Sequence, residues 1–349
     1  MSEPTSVVPL EVTPARAQQV LGPEWRTVAL HAYRWMVLAR TLDARMLALQ
    51  RQGRVGFYGA ATGQEAVNVA AGLVSAKDDW VLPGLREQLV ALVRGHALGT
   101  YVHHLFGDAY DPALGRNMPC HPTAREVHYV SMSSVIGTQI SHAAGVAFGL
   151  RHRKERAVAL AFFGDGATSS NDFHAGVNLA AVLRLPVAFL CTNNQWAISV
   201  PVQHQTAAKS LAAKATAYGI AGQRVDGTDL FACWTALAGT LGRVRAGGPA
   251  EMIEFVVYRM TAHSSSDDPS RYQPPDWAER ARAHDPVARL ERWLTEQGLL
   301  DRPTWQRITT EVDQEVRAAV EAAEAAPPPP ASSLTADVLA PSRSGPPAA

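Results

Sequence analysis

The feature that most restricts this chain is the run Ala157–Phe163, AVALAFF, which ends on Gly164-Asp165-Gly166. A run with no polar side chain does not suit a strand with one wet face. It suits a central strand buried on both sides, the kind found in parallel sheets covered by helices on each face. The chain around it has the matching rhythm. Candidate strands at Asp79–Leu82, His128–Met132, Val187–Cys191 and Met252–Tyr258 alternate with helical stretches at Gln64–Ser75, Gln139–Arg151, Asp172–Arg184 and Leu230–Arg245. The predicted class is therefore α/β, a parallel sheet with helices on both faces. Ligands of such sheets bind at the carboxyl ends of the strands.

Flanking segments complete the plan. From Glu24 to Gln52 there is no Pro or Gly, and Leu30, Trp35, Leu38, Leu42, Met46 and Leu49 recur at helical spacing until Gly53 and Gly56. After residue 262 comes a polar, Ser- and Pro-rich loop, His263–Pro275, then helical segments at Pro286–Gln297 and Pro303–Ala325. The expected organisation is an N-terminal arm (1–22), an α/β domain with its leading helix (23–300), a C-terminal helix (301–326) and a disordered Ala/Pro-rich tail (327–349).

Charge and cysteines narrow the function class. Lys plus Arg, 32, balance Asp plus Glu, 32, which argues against a nucleic-acid binder. Cys120, Cys191 and Cys233 are too few and too scattered for a disulfide framework or a zinc site. No apolar run nears the roughly 20 residues that cross a bilayer. Met1–Pro14 has neither a signal-peptide nor a transit-peptide pattern. The expectation is a cytoplasmic protein with no membrane partner.

The chemistry lies at two strand ends. Gly164-Asp165-Gly166 closes one apolar strand, and Asn193-Asn194 closes the next, VAFLC, after twenty-six intervening residues. A carboxylate and an amide oxygen are hard ligands suited to Mg²⁺, which keeps few protein ligands and is completed by phosphate oxygens. Glycines let backbone N–H groups approach such a phosphate, and a helix N-terminus favours its charge. Either motif alone is commonly a turn or a loop. Together, each after a strand, they read as a Mg²⁺–diphosphate site.

At this spacing the pair resembles the thiamine-diphosphate signature. Further runs extend the likeness: RQGRVGFYGAATGQEA (51–66), GRNMPCH (115–121), SSVIGTQ (133–139), NNQWAIS (193–199), RVDGTD (224–229) and HSSSDD (263–268). From about Arg40 to Gln273 the chain is identified as resembling the alpha subunit of the thiamine-dependent decarboxylating component of 2-oxo acid dehydrogenase complexes. Phe57-Tyr58, Met118–His121 and the SSVIGTQ run bring it nearest to the branched-chain (2-oxoisovalerate) type.

That resemblance implies a thiamine-diphosphate-binding fold and a set of roles. Asp165, Asn194 and the carbonyl of Trp196 would hold Mg²⁺. Gly166 and Ala167 would meet the diphosphate, and Arg86 would clamp it, guanidinium being suited to phosphate oxygens. Ser134 would lie at the aminopyrimidine end of the cofactor, and Ile136 would also be a cofactor-binding residue. Ser133, Val135, Thr138 and Gln139 match a K⁺-binding loop, with a plain strand-to-helix turn as the alternative. His263 would stand in the active site near the diphosphate and the reacting carbons, as the catalytic histidine. Ser264 matches a regulatory phosphorylation position of animal members. Two departures stand out: Leu85 replaces a Tyr before the clamping Arg, and Thr192 replaces an Arg before Asn193-Asn194.

The implied activity is oxidative decarboxylation of a branched-chain 2-oxo acid, with acyl transfer to the lipoyl domain of the acyltransferase component. The implied partner is a beta subunit in an α2β2 heterotetramer. It would bring the Glu that activates the cofactor, so the alpha chain alone would be inactive. Trp293 and Trp305 offer contact surface or ordinary core packing. The alternatives are a pyruvate or acetoin dehydrogenase subunit, and a non-catalytic structural paralogue.

Overall fold

A computed structural model of the chain describes residues 12–336. In chain order the helices are α1 (Pro14–Leu21), α2 (Trp25–Arg51), α3 (Glu65–Val74), α4 (Gln88–Val93), α5 (Leu98–Phe106), α6 (Thr138–His152), α7 (Asn171–Val182), α8 (Leu230–Arg245), α9 (Trp277–Ala283), α10 (Pro286–Glu296) and α11 (Arg302–Ala325). The strands are β1 (Trp80–Leu82), β2 (Ala159–Gly164), β3 (Val187–Asn193), β4 (Trp196–Ala197), β5 (Val200–Pro201), β6 (Ala221–Asp226) and β7 (Glu251–Val256). Five strands form one parallel sheet in the order β1-β2-β3-β7-β6, and β4 and β5 form a small antiparallel hairpin.

The AVALAFF run is central. β2 lies between β1 and β3 and is buried at every rung except Gly164. Its side chains alternate between two cores. Leu160 and Phe162 join the larger core, built from α2, α3, α8, α10 and α11, while Ala161 and Phe163 join the smaller core under α6 and α7. Gly176 of α7 would place a Cβ 2.9 Å from the backbone of Ile140, so only glycine allows α6 and α7 to lie this close. α7 starts at an N-cap, Ser170, whose Oγ accepts from Phe173 N at 3.2 Å.

Several expectations are corrected. His128–Met132 is not a strand: Tyr129 makes only isolated bridges to Val81 and Ala124, and His128 sits at a positive φ of 51°. β6 was not expected, because an edge strand with exposed Ala221 and Gly222 shows no apolar run. α4, α5 and α9 were also not expected. Within the arm, Pro14–Leu21 is a helix capped by Thr13, and residues 1–11 lie outside the described residues. α11 packs Ile308, Val312, Val316 and Val320 into the larger core. Of the tail, residues 327–336 lie along the turn at 107–116: Ala109 N donates to Pro327 O at 2.9 Å, and Arg116 donates to Ser333 O. Residues 337–349 lie outside the described residues. Trp293 packs in the core against Trp25 and Phe231, whereas Trp305 is 40% exposed.

Candidate active site

Parallel pairing brings the two motifs to one sheet edge. Gly164 stands in register with Thr192, and Asn193 with Val256. Asp165 therefore opens its turn beside the loop that carries Asn194 and Trp196. Asp165 is 1% exposed, and its Oδ2 accepts from Gln205 Nε2 at 2.9 Å. The backbone N–H of Asn194 also favours its ionised form. Burial wins, however, and raises its pKa to about 6. Asn193 turns away from this edge, its Nδ2 donating to Glu254 Oε1 at 2.8 Å. Asn194 stays in the loop, where its Oδ1 accepts from Trp196 N at 3.2 Å and keeps a second lone pair. The Trp196 carbonyl accepts from Arg259 Nη1 at 3.3 Å.

Gly166 forms a cradle. A Cβ there would lie 2.6 Å from Cβ of Ala197 on the hairpin, so this turn admits only glycine without a shift. Ala167 is buried beside it, and Thr168 Oγ1 ties the turn back to Asp165 O at 2.8 Å. Behind the hairpin a cavity of about 540 Å³ opens between Trp196, Tyr272, Trp277, Arg224 and Glu254.

A second group of residues converges from distant parts of the chain. Arg86 is 4% exposed, not a surface residue. It donates to the carbonyls of Ala60 and His263. Arg259 is 1% exposed and donates to Ile198 O at 2.9 Å and Tyr272 Oη at 2.6 Å. Neither guanidinium lies within ion-pair distance of a carboxylate among the described residues. Burial, and then the charge of Arg259, lower Arg86 to about 10. Burial, Arg86 and Arg259 together lower His263 to about 4, so its imidazole is neutral at pH 7. Two buried guanidinium groups that couple electrostatically and make no ion pair are suited to an anion.

His263 lies seven residues beyond the end of β7 and opens the loop that follows. The loop it opens is pinned on two sides. Ser265 exchanges hydrogen bonds with the Tyr58 backbone at 3.1 and 3.2 Å, and Asp267 accepts from His263 N at 2.7 Å and from Tyr272 Oη. Ser264 is buried.

The remaining predicted residues share one turn next to α7. Gly137, at φ +98°, would place a Cβ 2.3 Å from Ser170 Oγ. Val135 and Ile136 are 66% and 54% exposed. Ser134 Oγ lies 2.5 Å from His121 Nε2. His121 Nδ1 faces Pro119 O at 3.0 Å and so carries the proton, which makes Ser134 the donor to Nε2. Ser133 Oγ accepts from Val135 N at 3.1 Å, Thr138 N donates weakly to Val135 O at 3.4 Å, and Gln139 Nε2 donates to Phe162 O at 2.9 Å.

Sequence reasoning missed Arg259 and Gln205. Arg259 looks like one more residue of a strand tail, and Gln205 sits in a segment without pattern. Nothing local marks either of them.

Comparison with known proteins identifies the family. Residues 33–332 match the Dehydrogenase E1 component family. The 3-methyl-2-oxobutanoate dehydrogenase subunit alpha of Mycobacterium tuberculosis is 39% identical, covering 86% of this chain and 84% of that protein. The 2-oxoisovalerate dehydrogenase subunit alpha of Bacillus subtilis is 38% identical, covering 86% and 91%. The mitochondrial 2-oxoisovalerate dehydrogenase subunit alpha 1 of Arabidopsis thaliana is 36% identical, and there the match spans only 64% of the longer relative. The chain belongs to the family of dehydrogenase E1 components, in its alpha-subunit branch.

Proposed function

We propose that this chain is the alpha subunit of a branched-chain 2-oxo acid dehydrogenase. In this reading it binds thiamine diphosphate and Mg²⁺ at the edge formed by β2 and β3. The observation that carries the proposal is the meeting of Asp165, Asn194 and the Trp196 carbonyl with two buried guanidinium groups that make no ion pair with a carboxylate among the described residues. An oxygen-donor set beside a cation pair fits a divalent metal bridged to a diphosphate.

Asp165, Asn194 and Trp196 O would hold the metal, with Gln205 orienting Asp165. Gly166 and Ala167 would leave room for the diphosphate, and Arg86 and Arg259 would balance its charge. When bound, the cofactor supplies an electron sink for loss of carbon dioxide from a 2-oxo acid. His263, neutral and held through its backbone by Arg86 and Asp267, would donate a hydrogen bond to an oxygen at the reacting end. Ser134, oriented by His121, and Ile136 would face the far end of the cofactor. The SSVIGTQ turn would take K⁺ through Ser133, Val135, Thr138 and Gln139.

The site lies open on the side of Val135, Ile136, Ile198 and Val200, all at least 43% exposed. A beta subunit would close it in an α2β2 assembly and supply the missing acid. The lipoyl domain of the acyltransferase component would accept the acyl group.

The test is to co-purify this chain with its beta partner and follow reduction of an artificial acceptor with thiamine diphosphate and Mg²⁺. The 2-oxo acids derived from valine, leucine and isoleucine are expected to turn over fastest. A preference for pyruvate would overturn the specificity and keep the chemistry. A stable complex that binds no cofactor would leave a structural paralogue.

A further inference from the structure

We propose that Thr192 donates its hydroxyl to the cofactor diphosphate and is a binding residue of that site. The proposal rests on the cofactor reading above. Thr192 is on the penultimate rung of β3, in register with Gly164 of β2 and Phe255 of β7. Side chains alternate along a strand. Phe189 and Cys191 enter the smaller core, and Ala188 and Leu190 enter the larger one. Thr192 therefore points with Leu190, to the face that carries the elements around Arg86. The β3 residues before it, VAFLC, are all apolar, so a Val would have filled the rung as well. The residue is instead a Thr that is 2% exposed, with an Oγ1 that is buried and has no hydrogen-bond partner. Buried hydroxyls are costly to leave unpaired and are rarely kept that way.

The space next to this hydroxyl gives it a partner. Residues in register on adjacent strands share a face, so what lies over Gly164 lies beside Thr192. Gly164 is the exposed last rung of β2, and a Cβ built on it would meet no atom within 4 Å. That opening adjoins the Asp165-Gly166 turn, where a diphosphate bridged to the metal would sit. The hydroxyl has a single torsion, χ1, through which to face it. A diphosphate oxygen is a strong acceptor, and the Thr would add a neutral donor to the charge supplied by Arg86 and Arg259.

The experiment compares the parent complex of this chain and its beta partner with Thr192→Val and Thr192→Ser complexes. Thiamine diphosphate affinity is measured calorimetrically in Mg²⁺, and Tm is measured without cofactor. Thr192→Val should bind about 10-fold more weakly, the loss typical of a hydrogen bond to a charged group. Thr192→Ser should stay within about two-fold of the parent. The cofactor-free Tm of Thr192→Val should not fall, because a methyl replaces an unpaired hydroxyl. Thr192→Ala serves in the same way if the Val variant fails to assemble. Unchanged affinity in Thr192→Val would overturn the inference and leave the cofactor reading intact. A lowered cofactor-free Tm with a parallel loss in Thr192→Ser would also overturn it, as a packing effect. If the parent complex binds no thiamine diphosphate, the cofactor reading falls and this inference with it.

Discussion

The oxygen-donor half of the site, from Asp165 to Trp196, comes from two turns that follow adjacent strands. The guanidinium half draws Arg86, Arg259 and His263 from stretches far apart in the chain. The first half is settled within the fold: Gln205 donates to Asp165, and Asn194 Oδ1 accepts from its own loop. The second half is not. Burial and Arg259 lower Arg86, burial with Arg86 and Arg259 lowers His263, and neither guanidinium makes an ion pair with a carboxylate among the described residues. A fold tolerates buried like charges when a ligand of opposite charge supplies the compensation. The contrast implies that metal affinity resides in the first half and anion affinity in the second.

The largest effect should come from the oxygen half. Asp165→Ala should reduce Mg²⁺-dependent thiamine diphosphate binding by more than the roughly 10–100-fold typical of an outer-shell partner. Equilibrium dialysis of the assembled complex checks it, and undiminished binding would break the comparison at its root. Arg86→Met should weaken cofactor binding about 10- to 150-fold, the range for hydrogen bonds to charged groups. In addition, Arg86→Met should raise the pKa of His263, because one depressing charge is removed. An NMR titration of His263 that shows no upward movement would mean the two groups are not coupled.

Smaller effects sharpen the picture. Gly166→Ala should cost about 1–3 kcal/mol through overpacking against Ala197. Pairing it with Ala197→Gly should restore most of the lost Tm, and failure of that rescue would place the clash elsewhere. Glu87, buried beside the Arg86 backbone, is raised by burial from 4.5 to about 7. Its stabilising contribution is thus complete below pH 4.5 and declines as pH rises through 7. Glu87→Gln, which cannot ionise, should therefore gain on the parent by about 2.5 kcal/mol at pH 8 relative to pH 5. A pH series of Tm values reads this directly, and a constant gap would show that Glu87 ionises as it does in the unfolded chain.

Legibility in the sequence followed how local each signal was. The boundaries of α2, α7, α8, α10 and α11 came within a residue or two, because periodicity and capping residues lie inside the element. β2 and β3 were plain because both of their faces are buried. β6 and the short α4 and α9 were not, since an edge strand or a two-turn helix carries too few apolar residues to show a period. His128–Met132 had strand composition, but its only partners are isolated bridges, and the positive φ at His128 interrupts the extension.

The sequence by itself determined the α/β class, the central buried strand and the two motifs at its carboxyl edge, because hydrophobic period and turn chemistry act over a few neighbouring residues. It also marked Arg86 and His263, through longer runs that resemble a family. Only the tertiary structure decided that Arg86, Arg259 and His263 share one desolvated volume, that Gln205 reaches Asp165, and that the Thr192 hydroxyl is left without a partner. Burial and the Coulomb coupling of distant charges depend on where the sheet and its covering helices place them, and no local pattern of residues encodes that distance.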